Sequence, residues 1–395
     1  MAGITALGTT YNLPNFTGEL INTTPVETPL LSATGGLNGG GQVIDTEFEW
    51  QTNDIRPPSQ NVALEGADAP SPVARVRQNV SNLVEIHHSK IAVSYTKLAA
   101  VGRLGGLATQ SGSNPVTNEL TEQIQNELAA MAQDVDYAFL HGKYQKPSDN
   151  TTPRKTRGLI QAIVTNVSTK AAAAQTGSTS ATDTITAGST TSLSVGDVVV
   201  ITDPGTSGLS LTAKYYVQAT PSGTTFKLAT TSGGSAITIG TATGIAWRKP
   251  QTATLTTDMI NAFVQQVYDN GGMRGTTRTL IVPSTQKIAI SAAYTQLGAK
   301  ASPVRERIGG VVVDVVDTDF GPLNVMLHPR MLRDSILAVS LDELRPVFLE
   351  TPGKGHLFVE PLAKVGAKDE VQLYGEVGLA YGAESHHGIL TGLAV

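Results

Sequence analysis

The chain has 395 residues, 28 Lys and Arg against 33 Asp and Glu, a formal charge of −5, and no cysteine. This balance excludes disulfides, thiolate chemistry and Cys-ligated zinc. It also leaves no basic cluster dense enough to track a phosphate backbone, the nearest run being "PRKTR" at 153–157.

The length permits two or three domains, and 40 Gly with 20 Pro beside 5% aromatic residues describe a turn-rich, strand-rich chain. The first charged residue is Glu19, so no basic region precedes an apolar run, and no window reaches bilayer-spanning length. A protein acting in a cytoplasm or inside an assembly, with no membrane partner, is the expectation.

Residues 1–45 carry little charge, include "TGGLNGGGQ" at 34–42, and lack helical periodicity, which predicts an extended arm. Gly35, Gly36, Gly39, Gly40 and Gly41 are followed by neither a Lys-Ser/Thr pair nor a helix start, so they read as flexible arm rather than as a phosphate cradle. Strands are expected at 43–51 and 73–97. In the second, Ile91, Val93 and Tyr95 share one parity and Val84 and Ile86 the other, which predicts a bulge or kink near His88.

Between these strands runs "FEWQTNDIRPPSQNVALEGADAP" (48–70). It opens with Phe48 and Trp50 on one face and Glu47, Glu49 and Gln51 on the other, then passes into prolines, amides and small residues. About twenty residues separate the two extended runs, more than a hairpin turn uses. Such a loop is disordered or rests on something else. Arg56, Glu65, Asp68, Arg75 and Arg77 are its charges and those of its return strand. They decorate a solvated hairpin or pair with a neighbouring subunit, and the loop's lack of a core favours pairing.

One long helix is predicted at 115–141, with Asn114 as N-cap, Pro115 at the first position and Gly142 closing the end. Val116, Leu120, Ile124, Leu128, Met131 or Ala132, Val135 and Phe139 form a single apolar stripe, about 40 Å long at 1.5 Å per residue. The helix should therefore lie across a sheet with its other side exposed. On it, Asp134 and Asp136 stand about 200° apart and cannot act as a paired acid and base.

Residues 168–247 turn to Ser, Thr, Gly and Ala, with short strands in "LSVGDVVVITDPG" (193–205), "AKYYVQATPSGTTFKLAT" (213–230) and "SAITIG" (235–240). They read as a self-contained β module inserted into an α/β domain, since the flanks "KTRGLIQAIVTN" and "LTTDMINAFVQQVYDNGG" differ in style. That domain resumes with a helix at 256–269 capped by Thr256 or Thr257, a strand at 279–282, a helix from 284 to 294, and a strand at 309–329 broken by Phe320-Gly321-Pro322. Short strands and loops follow to residue 395, giving an α+β class.

His87-His88 and His386-His387 place adjacent side chains on opposite faces, so neither pair chelates one ion alone. Asp314, Asp317 and Asp319 fit no calcium-loop spacing. No nucleophile elbow or His-Glu-x-x-His helix occurs. No catalytic, cofactor-binding or metal-binding residue is assigned, and no cofactor is expected.

In chain order, "FEWQTNDIRPPSQNVALEGADAP", "KIAVSYTKLAAVG", "NELAAMAQDVDYAFLHGK", "RGLIQAI", "VVDTDFGPLNVMLHPRM" and "GEVGLAYGAESHHG" resemble the Hong Kong 97-type fold of tailed-bacteriophage major capsid proteins. The resemblance implies an N-terminal arm at 1–45, an extended β-hairpin loop with flanking strands at 46–100, and a spine helix of a peripheral domain at 101–157. It implies an axial α/β domain at 158–167 and 251–335, an inserted all-β domain, immunoglobulin-like or a small barrel, at 168–250, and return strands at 336–395.

It further implies a non-enzymatic protein that self-assembles as hexamers and pentamers into an icosahedral head enclosing double-stranded DNA, built in the host cytoplasm and residing in the virion. The implied partners are portal, scaffold and possible decoration proteins, with DNA touched only non-specifically. No acidic helical segment precedes the arm, so a separate scaffold protein is expected. The loop at 51–75 would lie over the adjacent subunit. "QLGAKASPVRERIGG" (296–310), with Arg305, Glu306 and Arg307, would crowd the five- and six-fold axes.

Two other readings compete. An encapsulin-like compartment shares the fold, although the arm and insertion weigh against it. A glycan-binding β protein would use Tyr215, Tyr216, Phe226 and Trp247 for stacking, residues that fit a module core better.

Overall fold

The computed structural model describes residues 27–37, 40–72, 77–99, 119–179, 183–189, 191–275, 277–296, 305–308 and 311–395. The chain divides into two compact units. The smaller comprises Met1–Val26, His88–Met131 and Phe358–Tyr374, and the larger Glu27–His87, Ala132–Leu357 and Gly375–Val395.

Strands Glu85–Ser94 and Leu357–Pro361 both pair with strand Lys368–Ala380, and the smaller unit holds residues 88–94, 358–361 and 368–374 of them. Ile91, Val93, Val371 and Leu373 turn inward, as period-two alternation requires. Glu370 is held by Lys90 at 2.6 Å and by Lys368.

The kink expected near His88 falls instead at Val84. Strand Gln78–Leu83 ends there, and the amide of Val84 turns to donate to Thr46 O at 3.0 Å. Beyond it one parity holds to Ser94, so Ile86 simply faces outward.

A seven-stranded sheet organises the larger unit. Its order is Arg305–Ile308, Val311–Thr318, Gly321–Leu327, Arg278–Val282, Ile336–Ser340, Gly388–Thr391, Val167–Thr169. Alternate residues of its central strands feed two cores, which is why these strands read as continuous apolar runs. Leu280, Val282, Ile336 and Ala338 pack with Ile260, Phe263, Val264 and Ile290 of helices Thr257–Asp269 and Ser284–Gln296. Ile281, Leu337 and Val339 face the other way, onto Val135, Phe139 and Leu140 of helix Glu119–His141 and onto Leu30 and Leu31.

Helix Thr257–Asp269 starts as expected, with Thr256 Oγ1 accepting from Met259 N at 3.3 Å. The break at Phe320-Gly321 is a hairpin turn in which Thr318 pairs with Gly321.

The long helix is described from Glu119, so the expected cap at Asn114, Pro115 and Val116 lies outside the described residues. Its stripe is buried from Met131 onward, whereas Leu128 stays 38% exposed. Gly142 does not close the helix in the left-handed conformation; it is absent from the positive-φ residues. It is small for another reason, because a Cβ there would sit 2.7 Å from Thr156 O. The returning chain crosses at that point, with Gly158 N donating to Gly142 O at 2.9 Å.

Strands Gln175–Thr179, Thr184–Ala187, Val198–Asp203, Tyr215–Ser222, Thr225–Ala229 and Ala242–Arg248 close into one barrel, not into the two facing sheets of an immunoglobulin-like sandwich. Tyr215, Phe226 and Trp247 fill it, the last two edge-to-face at 4.9 Å. They are therefore core, not a stacking surface. Gly177 is required there, since a Cβ would meet the Trp247 ring at 2.9 Å. Arg248 fixes the barrel to the loop before strand Ile336–Ser340, donating to Asp334 at 2.7 and 3.2 Å where both side chains are buried.

Candidate assembly surfaces

The hairpin Glu47–Thr52 and Gln78–Leu83 pairs in register from Glu47 with Leu83 to Thr52 with Gln78. Its root is bolted down. Trp50 Nε1 donates to Gly382 O at 2.7 Å, and the indole meets the Tyr381 ring edge-on at 4.9 Å. Asn82 Nδ2 donates to Leu379 O at 2.7 Å, while Asn82 Oδ1 accepts from Arg157 N at 2.8 Å. Lys146 pairs with Glu47 at 2.5 Å.

Beyond Thr52 the packing stops. Every described residue from Asn53 to Pro72 is exposed, including Ile55 at 79%, Val62 at 83% and Leu64 at 86%. What order the loop has is local. Ala67 N donates to Leu64 O at 3.1 Å, and Gly66 takes φ +79°, the positive value a type II turn demands at that position.

Arg56 donates to Ser59 Oγ at 2.9 Å and Arg77 to Gln51 Oε1 at 3.1 Å. Glu65 and Asp68 are exposed and have no cationic partner among the described residues. Arg75 lies outside them. The backbone of Arg305, Glu306 and Arg307 forms the outermost strand of the seven-stranded sheet, Arg305 opposite Asp314 and Arg307 opposite Val312. These residues are thus brought to two separate places: the loop with its return strand, and the sheet edge.

The remaining candidates resolve into packing roles. His387 is buried, its Nε2 bonding Tyr381 O at 2.7 Å, and burial lowers its pKa. His386 Nδ1 meets Glu343 at 2.6 Å, His87 meets Glu85 at 3.2 Å, and His88 meets Gln372 at 3.2 Å. Lys287 takes Asp314 at 2.6 Å, and Asn261 takes Asp319 at 2.8 Å. The described residues contain no group of three His, Asp or Glu side chains arranged for a metal ion.

Sequence reasoning missed one cluster. Asp136 is fully buried and accepts from Leu31 N at 3.0 Å, with His328 Nε2 at 2.9 Å and Arg330 Nη1 at 3.4 Å. Arg330 N donates to His328 Nδ1 at 3.1 Å, while His328 Nε2 lies near the Asp136 carboxylate without a hydrogen bond to it. Arg330 also reaches Glu27 O at 2.8 Å and Gln133 Oε1 at 2.6 Å. Beside it, burial drives the His141 pKa down to about 4. The available signal was an Asp next to Val135 on the buried stripe, a position that costs energy unless a cation answers it.

The family model described as SU10 major capsid protein matches residues 3–394. The chain belongs to that family. None of the curated proteins matches it.

Among solved structures, the capsid asymmetric unit of cyanophage A-1(L) is similar at a TM-score of 0.50 and 10% identity, covering 99% of this chain and 100% of that one. The holo-SrpI encapsulin complex of Synechococcus elongatus PCC 7942 gives 0.49 and 10%, over 97% and 92%. The capsid of cyanophage P-SCSP1u gives 0.47 and 9%, over 96% and 92%.

The cyanophage A-1(L) likeness shows the α+β, Hong Kong 97-type fold. The SU10-type chain is a phage major capsid protein that self-associates into the capsid of the virion. The encapsulin-like reading gives way to it.

Proposed function

We propose that this capsid protein assembles as hexamers and pentamers into an icosahedral head around double-stranded DNA, without enzymatic activity, and that the loop at 51–75 lies on the adjacent subunit. One observation carries the reading: a rigidly rooted hairpin projects a loop whose large apolar side chains have nothing of their own chain to cover them. Exposed apolar residues gathered on one element mark an interaction site. Each of Ile55, Val62 and Leu64 gains about 1.5–3 kcal/mol when buried. Part of that offsets lost rotational and translational freedom, but a closed shell repeats the contact at every subunit.

Within this reading Arg56, Glu65, Asp68, Arg75 and Arg77 meet the neighbour. Arg305, Glu306 and Arg307, on the sheet's outer strand, face the symmetry axes. The barrel is an insertion into the axial domain, and portal, scaffold and decoration proteins are further partners of the shell. A net charge of −5 limits DNA to non-specific contact, and the head is built in the host cytoplasm.

Deleting 54–70, or replacing Arg77 by Glu, should leave soluble subunits where the parent chain gives shells or five- and six-membered rings in negative-stain electron microscopy. Normal shell yield from both variants would refute the role of this loop.

A further inference from the structure

The larger unit carries a cleft of about 500 Å³ with Ile86, Tyr137 and Pro204 on its apolar side and Lys143 and Lys155 on its polar side. Ile86 is 48% and Tyr137 40% exposed, large side chains left half covered. The cleft's acids are already engaged. Glu85 accepts from Thr156 N at 3.0 Å and meets His87, Asp203 meets Lys143 and accepts from Gly205 N at 3.0 Å, and Asp134 also has a partner. Arg154, on the same wall, is held by Glu376.

Lys155 is different: it is exposed and has no acidic partner among the described residues. Burial first, and then the charge of Lys155, lower the pKa of Lys143. The wall therefore has one cation left over beside an uncovered apolar surface.

The turn Leu64 to Ala67 has the complementary chemistry. It holds Leu64 outermost, with Glu65 and Asp68 unpaired on either side of a bend fixed by Gly66. We propose that this cleft receives residues 62–68 of a second copy, Leu64 lying against Ile86 and Tyr137 and an acid of the turn pairing with Lys155. The assignment rests on the reading that the loop packs on another subunit, and it names where. The cleft's volume is in the range of ligand-sized pockets, roughly 300–1,000 Å³, enough for the tip of a turn.

Charge exchange tests it. Lys155→Glu alone, and Glu65→Lys with Asp68→Lys, should each lower shell yield at least tenfold, and combining all three should restore it to within twofold of the parent. The chain has no cysteine, so Leu64→Cys with Tyr137→Cys can be oxidised without background, and should give a ladder of covalently linked subunits on a non-reducing gel. This second measurement covers the case in which a charge variant fails to fold.

Parent-level yield from Lys155→Glu together with no ladder would overturn the cleft assignment. So would two impaired charge variants that fail to rescue each other, again without a ladder. If deletion of 54–70 still gives shells, the underlying reading of the loop falls. If that deletion abolishes shells while the cleft variants behave as parent, only the cleft assignment falls.

Discussion

Replacing Asp136 by Ala removes one buried carboxylate, leaves one backbone donor without its acceptor and takes an anion away from two neighbouring side chains. Leu31 N loses its acceptor, His328 Nε2 loses the oxygen at 2.9 Å, and Arg330 loses its counter-charge at 3.4 Å. Taking away one partner of a buried ion pair costs about 3–5 kcal/mol. Arg330 keeps 19% side-chain exposure and two other acceptors, which puts the cost near the lower end, about 3 kcal/mol. Asp136→Asn keeps the shape and an acceptor for Leu31 N but drops the charge, and should cost about 2 kcal/mol. Urea unfolding of the subunit reads the total. Amide hydrogen exchange resolves where it falls, because Leu31 and the short helix Pro29–Ala33 should lose protection first. A loss below about 1 kcal/mol for the Ala variant, with Leu31 exchange unchanged, would show that the cluster does not hold residues 27–33 in place.

Three further outcomes follow from the same structure. His141 has a folded pKa of about 4, below the ordinary 6.5, because it is buried. A depressed histidine gives stability that is fully present above pH 6.5 and lost on the way down to pH 4, by at most about 3 kcal/mol; His141→Gln should flatten that slope in pH-dependent melting. Arg248→Met leaves Asp334 buried without its cation and should cost about 3–5 kcal/mol, while adding Asp334→Leu should recover most of it, both read from Trp247 fluorescence. Thr256→Ala removes the cap on Met259 N and should cost about 1 kcal/mol in urea unfolding.

Elements whose cause is local were legible in the sequence. Thr256 with the apolar spacing behind it marked helix Thr257–Asp269, and Phe320-Gly321 marked the turn between Val311–Thr318 and Gly321–Leu327. The hairpin at Glu47 and its unpackable loop were visible because alternation stops where the prolines begin. What escaped depends on partners far along the chain. Gly142 looked like a helix stop, but its size answers to Thr156 and Gly158 crossing it. Asp136 looked only like an acid unable to pair with Asp134, because its partners Leu31, His328 and Arg330 lie 105 to nearly 200 residues away. The barrel's closure pairs strand Ala242–Arg248 with Gln175–Thr179, a non-local register that alternation within single strands cannot specify.

The loop's composition decides what kind of force the proposed contact uses. Three apolar side chains, Ile55, Val62 and Leu64, stand beside a few charges, and exposed ion pairs are worth about 0–1 kcal/mol each. Burial of the apolar group therefore supplies most of the free energy, and Lys155 with Glu65 or Asp68 supplies register. Sodium chloride then acts with two signs. Each subunit carries −5, and screening that repulsion at a Debye length of about 8 Å in 0.15 M salt speeds encounter, while the contact pair weakens. Assembly followed by light scattering should accelerate from low salt to 0.15 M, and finished shells should survive 1 M sodium chloride. Shells that dissociate at 1 M would mean that charge pairs, not the apolar tip, hold the subunits together, and Leu64→Ala should then leave assembly unchanged.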